Sequence, residues 1–161
     1  MTYKTIDVKP VSGALGAEIE GVDLSKDLSN ETFDDIHQAF LDHVVIFFRD
    51  QHIGHEQHKS FGRRFGTLNI HPYVKGMDGH PEIMKIVKEP EDRINFGGGW
   101  HSDMSFLEEP ALGSILYAKE VPPYGGDTLW ANQYLAYEAL SDGMKQTLDG
   151  LKALHTAKGE Y

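Results

Sequence analysis

The residues best suited to chemistry lie in Trp100-His101-Ser102-Asp103-Met104-Ser105-Phe106. A neutral imidazole and a carboxylate both donate to divalent metals, and side chains two apart on an extended strand point to one face. His101 and Asp103 could therefore meet around one ion. Two imidazoles and one carboxylate on one face suit non-haem Fe(II), because they leave coordination positions open for a co-substrate and oxygen. The spacing alone is weak. A chain with nine His and many Asp produces His-x-Asp by chance, as a polar pair on a solvated strand. The flanks favour a site: Trp100 and Phe106 are bulky, and Gly97-Gly98-Gly99 allows a close backbone approach.

A second group, His52, His55 and His58, recurs at intervals of three, and His55 and His58 share a helix face. A helical His pair can bind zinc, but no Glu base stands in a zincin-like motif. The polar stretch Gln51–Lys59 reads better as a solvated helix face.

The elements that must position these residues are read from periodicity. Strands are expected at Thr5–Val8 and around Ala17–Ile19, separated by Ser12-Gly13. Ser29 should cap a helix whose apolar Phe33, Ile36, Phe40 and Leu41 share a face, ending near His43. Val44–Phe48 then reads as a fully buried strand. A helix from about His55 to Phe65 is stopped by Gly66. Further strands are expected at Glu82–Val87, His101–Phe106, Ser114–Val121 and Thr128–Ala131. The chain then turns helical through Tyr134–Leu140, and Ser141 caps a helix carrying Met144, Leu148 and Leu151. Helices near the ends and strands in the middle predict an α+β fold with a predominantly antiparallel sheet or barrel.

Bulk properties narrow the partners. Fifteen basic residues against 25 acidic ones, a formal net charge of −10, disfavour a nucleic-acid backbone. The absence of cysteine removes disulfides, thiolate metal sites and Cys nucleophiles, and fits a reducing compartment. The first residues lack the apolar core of a signal peptide, and the longest apolar run, Val44–Phe48, is too short to span a bilayer. The expectation is a soluble, cytoplasmic protein acting on a small molecule, without nucleic-acid or membrane partners. Homo-oligomerisation stays open.

Several motifs in register carry a resemblance. Phe96-Gly97-Gly98-Gly99-Trp100-His101-Ser102-Asp103 resembles the metal motif of the TauD/TfdA family, the taurine dioxygenase-like enzymes. Gly125-Gly126-Asp127-Thr128-Leu129-Trp130 resembles its second hallmark. Phe48-Arg49-Asp50-Gln51, Arg64-Phe65-Gly66 and Tyr137-Glu138-Ala139-Leu140-Ser141 match as well, in order and spacing, over essentially the whole chain.

The resemblance implies an α+β fold with a double-stranded β-helix (jelly-roll, cupin-like) core and flanking helices. It implies one dioxygenase domain over residues 1–161, with His101 and Asp103 as Fe(II) ligands and Thr128 hydrogen-bonded to a carboxylate of 2-oxoglutarate. Molecular oxygen is the remaining co-substrate. The reaction implied is hydroxylation of a small anionic molecule (a sulfonate, sulfate ester or carboxylate), coupled to oxidation of 2-oxoglutarate to succinate and carbon dioxide. His71 matches a position that contacts the sulfonate in taurine-acting members, and Tyr73 stands one residue out of register with a family Tyr. Gly97 occupies the place of an Asn near the substrate, with Asn95 close by, a departure that points away from taurine itself. Met104 and Phe106 would line the pocket or belong to the core.

The family's distal iron-binding His and its Arg for the far carboxylate of 2-oxoglutarate have no counterpart here, and His155 matches an upstream family segment. The chain is therefore expected to be the N-terminal portion of such an enzyme, its barrel incomplete. Two rivals stand beside this reading: a non-catalytic jelly-roll fragment without a complete iron site, and a cupin-like metal enzyme that does not use 2-oxoglutarate.

Overall fold

A computed structural model describes residues 3–93 and 96–157. By internal contacts the chain forms two compact units, Met1–His58 with Ala118–Leu151, and Lys59–Tyr117 with Lys152–Tyr161.

The first unit is built on a small sheet. Strand β1 (Asp7–Pro10) pairs antiparallel with β2 (Ala17–Glu20), with Val8 opposite Ile19. The Ser12 hydroxyl closes the hairpin by accepting from the Ala14 and Leu15 amides and donating to the Leu15 carbonyl. Helix α1 (Asn30–His43) follows, capped by the Ser29 side chain, which accepts from the Thr32 amide. Its Phe33, Ile36 and Ala39 recur at helical spacing and are buried. With Ile6, Ala17, Ile19, Leu24 and Ile53 they form the core, in which Ile36 is fully buried. That burial alone is worth about 1.5–3 kcal/mol.

Val44 ends α1 at φ +67, donating its amide to the Phe40 carbonyl, and the chain enters β3 (Ile46–Phe47). β3 pairs parallel with β2, giving the order β1-β2-β3. Two expectations need correction here. The sheet is mixed rather than predominantly antiparallel. The strand expected at Val44–Phe48 covers two residues and is only half-buried, because it is an edge strand with one neighbour.

Helix α3 (Gln133–Glu138) begins at Asn132, whose side chain accepts from the Leu135 amide and donates to the Ala14 carbonyl at 2.7 Å. That bond and an edge-to-face contact between Phe47 and Trp130 (5.5 Å) tie the later segment of this unit to its sheet. Ser141 caps α4 (Asp142–Leu148), and Leu151 lies past its end. Helix α3 starts one residue before the expected Tyr134 and stops two short of Leu140.

Helix α2 (His55–Phe65) runs across the boundary between the units and is followed by Gly66 at φ +148. In the second unit Phe61 is buried and meets Phe65 edge-to-face at 5.3 Å. The strands expected at Glu82–Val87, His101–Phe106, Ser114–Val121 and Thr128–Ala131 are not assigned among the described residues. Around Ile83 the backbone makes local turns, its amide bonded to the His80 carbonyl and its carbonyl to the Met77 amide. At Asp103–Phe106 the chain also turns: Met104 sits at φ +55 and its carbonyl accepts from the Leu107 amide. Alternating residue types say which face each side chain would take, but a strand also needs a ladder partner. No described helix is long and apolar enough to cross a membrane.

Candidate metal centre

His101 and Asp103 meet, though by a turn rather than by a pleat. His101 Nε2 lies 3.1 Å from Asp103 Oδ1. Each ligand candidate is anchored through its other polar atom: His101 Nδ1 is 2.8 Å from the Gly99 carbonyl, and the Ser114 hydroxyl donates to Asp103 Oδ2 at 2.7 Å. A carbonyl can only accept, so Nδ1 carries the proton of the neutral ring and Nε2 presents a lone pair. Nε2 then meets Asp103 Oδ1 either as the donor of a protonated imidazolium or, in the neutral ring, as a second lone pair beside a cation. Donors about 2.1 Å from one ion and at right angles stand roughly 3 Å apart, so the observed separation fits a divalent metal. Both side chains are 53% exposed.

Gly97 lies against this pair. It adopts φ +68, and a Cβ there would come within 3.3 Å of His101 Cε1. Met104 heads the turn and is half-buried. Asn95 lies outside the described residues.

His71, Tyr73 and Phe106 come together as an aromatic group. Tyr73 and Phe106 ring centres are 5.6 Å apart, and His71 lies 6.3 and 6.5 Å from them. His71 Nδ1 accepts from the Tyr73 and Val74 amides, which places the proton of the neutral ring on Nε2. Nε2 is then the donor atom of the ring. Thr128 belongs to the other unit and is exposed.

Among the described residues no group of three or more His, Cys, Asp or Glu side chains is placed to hold a metal. Sequence reasoning missed Ser114, the Gly99 carbonyl, and a hydrogen bond between Ser105 Oγ and His155 Nδ1 at 2.9 Å. No residue type or spacing signals them, since each depends on the fold of the turn.

The family model described as "Taurine catabolism dioxygenase TauD, TfdA family" matches residues 7–161. The chain belongs to the TauD/TfdA family. Among its relatives is an alkylsulfatase of Acinetobacter baylyi, 37% identical, the match covering 97% of this chain and 49% of the relative. An alpha-ketoglutarate-dependent sulfate ester dioxygenase of Pseudomonas putida is 38% identical, with 97% and 51% covered. The crystal structure of a taurine dioxygenase from Burkholderia xenovorans superposes with a TM-score of 0.81 at 41% identity, over 91% of this chain and 52% of that one. The chain spans about half the length of the relatives it matches.

Within this TauD/TfdA chain, part of the motif Phe48–Gln51 has a structural task. Gln51 accepts from the Leu24 amide and donates to the Val22 and Arg49 carbonyls, clamping the exit of β3 to the loop after β2. Arg49 pairs with Glu18 at 2.7 Å.

Proposed function

We propose that the chain carries two of the iron ligands of an Fe(II)- and 2-oxoglutarate-dependent dioxygenase that hydroxylates a small anionic organic molecule, a sulfate ester or sulfonate in the first instance. The observation that carries this reading is the meeting of two metal-donor types, His101 Nε2 and Asp103 Oδ1, at 3.1 Å in a chain of this family. The third donor, a second imidazole, would come from the part of the relatives' length that this chain does not span. The fold of the whole is proposed to be a jelly-roll core with flanking helices in a single catalytic domain, located in the cytoplasm.

Bound Fe(II) would supply activation of oxygen, with 2-oxoglutarate oxidised to succinate and carbon dioxide as the substrate C–H bond becomes C–OH. The chain's own residues do the positioning. Gly99 fixes which nitrogen of His101 is available, and the anchored carboxylate of Asp103 supplies negative charge to the cation. Thr128 would donate its hydroxyl to a carboxylate of 2-oxoglutarate. His71, with its proton on Nε2, would donate to the anionic head of the substrate beside Tyr73 and Phe106, and Gly97 leaves room next to the His101 ring. Met104 is proposed to line the same pocket. A sulfate ester or sulfonate is supported by relatives named an alkylsulfatase and a sulfate ester dioxygenase and by a solved neighbour named a taurine dioxygenase. Relatives named (S)-phenoxypropionate dioxygenases keep a carboxylate within the class.

Asp103→Ala in the full-length protein should abolish substrate-dependent succinate formation, and undiminished turnover would sink the ligand assignment. A second reading, a non-catalytic jelly-roll piece, draws on the many exposed apolar side chains between residues 100 and 154. Anaerobic titration with Fe(II) and 2-oxoglutarate separates the two, since a complete site gives a metal-to-ligand charge-transfer band and the piece gives none.

A further inference from the structure

We infer that Ser114 is a positioning residue for the metal site, holding Asp103 so that one carboxylate oxygen alone faces the ion; this rests on the iron reading above. The Ser114 hydroxyl is 2.7 Å from Asp103 Oδ2, and the other oxygen, Oδ1, is the one turned toward His101 Nε2. A hydroxyl donating to an ionised carboxylate is a strong hydrogen bond, and it occupies the oxygen that would otherwise be free to swing onto the metal.

The consequence is chemical. An unanchored Asp can rotate and bind through both oxygens, filling a coordination position that the co-substrate or oxygen needs. An Asp held at Oδ2 binds through Oδ1 only and leaves that position open. Gly99 does the matching task on the other ligand, holding His101 Nδ1 and leaving Nε2 for the metal. Each donor is thus oriented by an outer partner, the arrangement that tunes ligand geometry in metal sites generally.

The residue after Ser114 lies beside a helix. Ile115 reaches helix α2, its Cδ1 within 3.7 Å of where a Gly62 Cβ would lie. The Ser114 hydroxyl meets a carboxylate 11 residues earlier in the chain.

The test is Mn(II) binding to the full-length protein, followed by the electron paramagnetic resonance signal of free Mn(II), together with thermal melting of the metal-free form. Ser114→Ala should weaken Mn(II) affinity by about 10- to 100-fold, with the metal-free melting temperature unchanged. Ser114→Thr keeps the hydroxyl and should restore most of the affinity. Wild-type affinity in Ser114→Ala overturns the proposal. So does a loss of affinity matched by a loss of metal-free stability and not restored by Thr, which would mark Ser114 as structural only. Asp103→Ala distinguishes the two levels of the argument. If it abolishes binding while Ser114→Ala keeps wild-type affinity, only the role of Ser114 falls. If Asp103→Ala binds normally, the iron reading falls and the role of Ser114 with it.

Discussion

Three consecutive glycines precede the metal motif, and the structure separates their tasks. Gly97 sits at φ +68 with the His101 ring 3.3 Å from the position of a Cβ, whereas a Cβ on Gly99 would meet nothing within 4 Å. An L residue in the left-handed region costs roughly 1–2 kcal/mol, and the added methyl would also press on the ring that carries the metal-binding nitrogen. Gly97→Ala should therefore lower both stability and Mn(II) affinity, while Gly99→Ala, which keeps its carbonyl on His101 Nδ1, should change affinity little. Isothermal titration on the two variants decides the point; equal effects would mean that the glycines serve only loop flexibility. The pair His101 and Asp103 was legible from its residue types, yet the reason read from sequence was incomplete. The i, i+2 alternation of a strand put both on one face, but it is the turn at Met104 and the two anchors, Gly99 and Ser114, that bring them together.

At the scale of elements, Asp35 is the carboxylate of α1 that makes the most bonds to the N-terminal segment, beside a bond from the Tyr3 hydroxyl to Asp42. Asp35 Oδ2 accepts from the Lys4 and Thr5 amides and from the Thr5 hydroxyl, each at 2.8 Å. The Thr5 amide, foremost among these, holds the Asp35 carboxyl below its ordinary value of 3.8; partial burial opposes the shift, and the Thr5 hydroxyl and Lys4 amide reinforce it. A carboxyl whose folded value is depressed contributes stability that is present above the ordinary value and lost as pH falls through the lower folded one. The segment should thus stay docked at neutral pH and release on acidification below the usual carboxylate range. Asp35→Ala, which removes the accepting oxygens, should loosen it at all pH values, read from the amide resonances of Lys4 and Thr5; persistence of those shifts in the variant would contradict the assignment. The helices of this unit were legible because their signals are local. A Ser side chain bonded to an amide three residues on is visible in sequence, as at Ser29 and Ser141. The strands beyond Glu82 were not, because pairing depends on partners distant in sequence.

Over the whole molecule, apolar burial is unevenly distributed. The buried apolar set runs from Ile6 to Phe61, whereas Leu154 is 93% exposed, Tyr124 88%, Tyr134 77% and Val121 70%. Exposed apolar side chains are ordinary singly, but so many large ones in one stretch of sequence mark surface that another element should cover. Some exposed apolar residues, such as Val121 and Leu129, lie in segments whose residue pattern predicts strands, and unpaired strand edges carry the same liability. If the rest of the relatives' length supplies that cover, the isolated 161-residue chain and the longer protein should differ in a measurable way. The isolated chain should bind an apolar dye such as anilinonaphthalene sulfonate and associate with rising concentration in sedimentation velocity. The longer protein should do neither, and its Trp100 emission should shift to the blue relative to the isolated chain, in which that ring is 73% exposed. A monodisperse, dye-silent isolated chain would instead mean that its apolar surface is closed without added sequence. The jelly-roll completion proposed here would then lose its physical basis, while the two-donor geometry of His101 and Asp103 would remain to be explained by another metal chemistry.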